Sequence, residues 1–132
     1  MSLKTAIAIL IMAMAMTMTM TQRALAEDRK LAAKELEALI GLRYMSTGIT
    51  DNGWAFLLIN QPGGAREVYV NNFQGASSTR KERAMVKGDQ LCAVREVTNE
   101  ERCFDIHHMG GNRYESRVNG SRYTTWHVFR PD

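Results

Sequence analysis

Cysteine, long apolar runs and recognisable catalytic signatures are all scarce in this 132-residue chain. Cysteine occurs only at Cys92 and Cys103, ten residues apart rather than the two of a redox motif. No Gly-x-Ser-x-Gly elbow offers a serine nucleophile, and the sequence fixes no partner for Asp105 or Glu115 at catalytic spacing. The expectation is therefore a protein that is not an enzyme and that carries no cofactor. No apolar run reaches the ~18–20 residues that span a bilayer. There is no internal repeat.

The apolar run that is present lies at the start. One positive charge at Lys4 precedes a stretch from Ala6 to Met16 made only of Ala, Ile, Leu and Met, which softens into Thr17, Thr19 and Thr21 and closes with Ala24-Leu25-Ala26. That is the pattern of a cleavable signal peptide over residues 1–26. No cysteine stands at the cleavage point, so a lipid-modified N-terminus is not expected. The chain is predicted to be periplasmic or secreted, with no membrane anchor after processing. Loss of the leader removes Lys4 and Arg23 and leaves 15 basic against 14 acidic residues. A domain so close to neutral lacks the field of a nucleic-acid binder, so no nucleic-acid partner is expected.

Residues 27–132 are enough for one domain and too few for two. Between 28 and 40, Leu31, Ala32, Leu36, Leu39 and Ile40 recur at helical spacing, with Asp28 placed to cap the first turn and Gly41 to end the last. Beyond Gly41 the texture changes to short runs of β-branched and aromatic residues. They cover roughly 42–48, 54–59, 66–71, 79–86, 90–95, 102–107, 113–118 and 121–129, separated by clusters such as Asp51-Asn52-Gly53, Pro62-Gly63-Gly64, Lys87-Gly88-Asp89 and Asn119-Gly120. The expected class is all-β: an antiparallel meander of seven or eight strands, closed as a small barrel or folded as a sandwich, with one short N-terminal helix.

An exported chain meets an oxidising compartment in which thiols pair. If 90–95 and 102–107 form a hairpin, the register that sets Cys92 opposite Cys103 also sets Leu91 opposite Phe104 and Arg95 opposite Glu100. One alignment thus yields a disulfide, an apolar pair and an ion pair. The segments Leu39-Ile40-Gly41, Lys87-Gly88-Asp89-Gln90-Leu91-Cys92 and Arg102-Cys103-Phe104 also resemble those of a family of small exported alpha-proteobacterial proteins, domain-of-unknown-function family 995. That resemblance implies a compact β fold with a disulfide and no established activity.

Candidate functional residues fall into four groups. His107, His108, Met109 and His127 include soft and imidazole ligands, but adjacent histidines on a strand point to opposite faces, and no metal site is expected. Trp54, Phe56, Tyr69 and Trp126 are candidates to line a barrel that carries a small amphipathic ligand. Gly120-Ser121-Arg122-Tyr123, followed by Trp126, resembles the Ser-x-Arg-Tyr loop of bacterial lysozyme inhibitors, which implies inhibition of an envelope-targeting enzyme as an alternative role. Finally, a two-residue turn at Asn119-Gly120 sets Arg117 opposite Arg122 and Arg113 opposite Trp126. Arg113, Arg117, Arg122 and Trp126 would then share one face suited to an anion or an acidic partner, with Tyr114, Val118, Tyr123 and His127 buried on the other. The expected role is a non-catalytic binding or interaction module whose partner is an envelope protein or a small anionic or amphipathic ligand.

Overall fold

The computed structural model describes residues 28–72 and 74–129. The predicted signal peptide lies outside them.

All eight predicted strands form, and they close into a barrel. In chain order they are β2 (Tyr44–Thr50), β3 (Ala55–Asn60), β4 (Ala65–Asn71), β5 (Ser77–Lys87), β6 (Gln90–Arg95), β7 (Glu101–His108), β8 (Arg113–Val118) and β9 (Ser121–Phe129). Each pairs antiparallel with its neighbour, and the β2–β9 pairing completes the ring. An eight-stranded barrel encloses just enough room for its own side chains or for one small ligand. Period-2 alternation decides which side chains enter: along β4, Arg66 and Val68 are buried while Glu67 and Tyr69 face out. Gly48 lies where β2 passes closest to its neighbours; a Cβ there would run into the Thr125 carbonyl and the Phe56 ring.

The helix is shorter than the sequence predicts. The pair Arg29–Lys30 forms a strand, β1, hydrogen-bonded to the end of β7, and the helix α1 spans only Ala33–Ile40. Asp28 is not its cap. Its carboxylate reaches across to His107 Nδ1 at 2.7 Å and Arg117 Nη2 at 3.0 Å. The first turn is satisfied instead by Glu35, whose Oε1 accepts the Ala32 N–H, and by Asp89, whose Oδ1 accepts the Ala33 N–H. A helix of eight residues is unstable alone, so α1 holds its shape by docking. Leu31, Leu36 and Leu39 are buried with Tyr44, Ala84, Leu91, Ile106, Trp126 and Val128, which plugs the barrel at the end where β2 begins.

The disulfide joins Cys92 and Cys103, directly opposed across β6 and β7, with Leu91 opposite Phe104 in the same ladder. Arg95 donates its backbone N–H to the Glu100 carbonyl at 3.0 Å, and their side chains lie 3.7 Å apart. A bonded cysteine pair is consistent with a protein that matures in an oxidising compartment.

The ion pairs of Asp28 predict that the strap formed by β1 weakens at low pH. Hydrogen bonds from Arg117 and then His107 hold the Asp28 carboxyl below its ordinary value of 3.8. A depressed carboxylate stabilises the fold above its unfolded value and loses that contribution as pH falls through the lower folded value. The expected result is that the Leu31 amide, which donates to the Ile106 carbonyl at 2.8 Å, loses exchange protection between pH 5 and pH 3. Asp28→Asn should show the weaker protection at both pH values. Equal protection of the wild type at the two pH values would show that the cluster does not hold β1.

Candidate functional site: a cationic cavity inside the barrel

The barrel is not filled. A cavity of about 130 Å³ lies along its axis. That is close to the size of an engineered core cavity that admits benzene. One wall is apolar and aromatic, built from Phe56, Leu58, Phe104, Ile106 and Trp126. Trp126 is fixed from two sides: its ring stacks on Tyr114 with centroids 4.7 Å apart, and its Nε1 donates to Ser116 Oγ at 2.9 Å.

The rest of the lining includes charged side chains, which are seldom buried. Arg66, Arg80, Arg95 and Arg102 line the cavity against Glu82 and Glu100, an excess of two positive charges. Arg66 is the most buried of the four, with 8% of its surface exposed. Its geometry is set by the buried Asn60, whose Nδ2 donates to the carbonyls of Ile40 at 3.1 Å and Leu42 at 2.7 Å, tying the helix end to β3. Asn60 Oδ1 then accepts from Arg66 Nε at 3.0 Å, while Arg66 Nη2 donates to the Tyr44 hydroxyl at 2.9 Å.

Both of those acceptors are neutral. Burial pushes the Tyr44 phenol above its ordinary value, with Arg66 pulling partly back, so it stays protonated at neutral pH and supplies no counter-charge. The nearest acidic residue in register is Glu82, opposite Arg66 on β5. Its Oε1 lies 2.8 Å from Arg80 Nε, an ion pair without an aligned hydrogen bond. Among the described residues Arg66 has no carboxylate within 4 Å, and three of its five N–H groups have no acceptor there. A buried guanidinium without a counter-ion is costly, and the N–H groups left over, two on Nη1 and one on Nη2, remain available to donate to a carboxylate.

The arginine stripe predicted on the last hairpin does not assemble as a single face. The turn is as expected, with Asn119 at φ 51° and Gly120 at φ 80°, and Arg117 does oppose Arg122. The register then shifts: Ser116 pairs with Thr124, so Tyr123 is an extra residue in β9. Beyond this bulge Trp126 pairs with Tyr114 and turns into the barrel, while Arg113 pairs with His127 on the outside. Of the four residues expected on the opposite, buried face, only Tyr114 packs against the core; Val118 and His127 are exposed, and Tyr123 is half-buried at the cavity. The two opposed arginines do not repel unrelieved, because Arg117 Nε bonds Glu115 at 2.8 Å and Arg122 Nε bonds Asp51 at 3.2 Å. Glu115 and Asp28 hold the Arg117 guanidinium above its ordinary value.

The bulge has a consequence for the cavity. It brings Tyr123 to the cavity, where its ring lies 5.2 Å from Phe104 and its hydroxyl accepts from Arg102 Nη1 at 3.1 Å. Of the aromatic residues predicted to line a barrel, Phe56 and Trp126 do so, whereas Tyr69 faces solvent and Trp54 does not reach the cavity. The charged lining went unpredicted, although a signal was present: Arg66 is in phase with Val68 and Val70, and Arg80 and Glu82 are in phase with Ala84. His107 and His108 are spent on Asp28 and on the Gly111 carbonyl. Cys92, Glu101 and Cys103 lie close together, but both sulfurs are in the disulfide and offer no thiolate to a metal. Comparisons with protein-family models, curated proteins and solved structures find no match.

Proposed function

We propose that this protein is an exported binding barrel that takes up a small amphipathic anion, a carboxylate on a short apolar or aromatic body. The observation that carries this reading is Arg66, a buried guanidinium in the cavity wall whose hydrogen-bond partners among the described residues are neutral. A ligand carboxylate would supply the missing counter-charge, and the aromatic wall would take the apolar body. The volume favours something near the size of benzene over a long acyl chain. The disulfide and the predicted leader together support an extracytoplasmic setting, where such a barrel would carry or sequester its ligand.

Titration calorimetry with hexanoate, 1-hexanol and hexylamine tests this reading, because the three share one apolar body. A charge-assisted hydrogen bond is worth about 1.5–3 kcal/mol, so hexanoate should bind at least roughly tenfold more tightly than hexanol. Arg66→Met should abolish that preference. Hexanol binding as tightly as hexanoate, or no binding of hexanoate at all, would overturn the proposal.

A further inference from the structure

Resting on the cavity reading above, we infer that the ligand is a dianion: a linear dicarboxylate with one end at Arg66 and the other at a second cationic site at the open end of the barrel. Arg66 accounts for one of the two excess positive charges in the lining. The other belongs to Arg80, Arg95 and Arg102, which share Glu82 and Glu100.

Register places these groups along a line. Arg66, Glu82 and Arg95 are successive partners across β4, β5 and β6. Arg66 is the second residue of β4, at the helix-plugged end, whereas Arg95 is the last residue of β6, at the open end. The row therefore climbs the cavity wall, and its outer members lie two strand spacings apart, roughly 10 Å between backbones. A dicarboxylate lying along this row would set its methylenes against Phe56, Phe104 and Trp126, which line the same cavity.

The second site is poised for an acceptor. Arg80 Nε is buried, and although Glu82 Oε1 lies 2.8 Å away, the N–H is not aligned with that oxygen and has no hydrogen-bond acceptor among the described residues. Glu100 holds Arg95 at 3.7 Å and Arg102 at 3.5 Å. Both contacts are far longer than the 2.7–2.9 Å of a strong charge-assisted hydrogen bond. A ligand carboxylate could approach Arg95 and Arg102 more closely than Glu100 does, with Arg80 adding its positive charge beside them.

The test compares hexanoate with adipate, the dicarboxylate of equal carbon count, by titration calorimetry on wild type, Arg80→Gln and Arg102→Gln. Adipate should bind wild type at least about tenfold more tightly than hexanoate. Each variant should narrow the ratio of adipate to hexanoate affinity toward one. Thermal melts of the variants establish that they fold, and should one fail to, the wild-type ratio of the two affinities still decides. Hexanoate binding with adipate no tighter would overturn the second site and leave the cavity reading standing. Failure of both ligands would overturn both.

Discussion

Leu36→Ala is expected to cost about 3–5 kcal/mol of folding stability, measured by chemical denaturation. Leu36 is fully buried at the centre of the helix plug, among Leu31, Leu39, Tyr44 and the inward residues of the barrel. Truncation removes the transfer energy of the side chain and leaves a hole that a closed ring of strands cannot collapse to fill. The helix makes the loss larger, because an eight-residue segment has no stability of its own and its remaining anchors must hold it against the cost of ordering. For a domain of this size 1 kcal/mol shifts the melting temperature by roughly 4–8 °C, so a fall of at least 12 °C should be seen. Leu42→Ala is the control, since Leu42 follows the helix but is 36% exposed. It should change stability by no more than about 0.5 kcal/mol. Equal losses at the two positions would show that α1 does not plug the barrel.

The strands were legible because each is bounded by turn-forming clusters and carries β-branched or aromatic residues at period 2. The disulfide register was legible for a different reason: Cys92, Leu91 and Arg95 each find a complementary residue in one alignment. Three features were not. Arg29 and Lys30 look helical because they precede an amphipathic run, and only the open ladder of β7 turns them into a strand. The bulge at Tyr123 leaves no mark in a run of alternating residues, so register counted from a correct turn fails beyond Ser116 and sends Trp126 to the wrong face. The interior charges were hidden by the rule that charged residues face water. Arg66 obeys the alternation of its strand and breaks the rule, and such conflicts concentrate at functional sites.

Replacing both Cys92 and Cys103 with Ser is expected to lower stability by about 2–4 kcal/mol while leaving the barrel intact. The bond closes a loop with a sequence separation of 11, for which the entropic account gives roughly 2.8 kcal/mol. Serine adds to this at one position, because Cys92 is fully buried and its hydroxyl replacement would need a partner there. The double alanine variant avoids that penalty and isolates the effect of the cross-link. The ladder itself should survive, since Leu91, Ala93 and Val94 keep their partners on β7 whether or not the sulfurs are joined. Function should separate from stability at this site. The residues on either side of Cys92 and Cys103, namely Leu91, Ala93, Arg102 and Phe104, line the cavity, while the two cysteines point the other way. Hexanoate affinity measured well below the lowered melting temperature should therefore stay within about twofold of wild type, less than 0.5 kcal/mol. Loss of binding in a variant that remains folded would show that the cross-link shapes the cavity wall. Full alkylation of both thiols in the native, unreduced protein would show that there is no cross-link to remove.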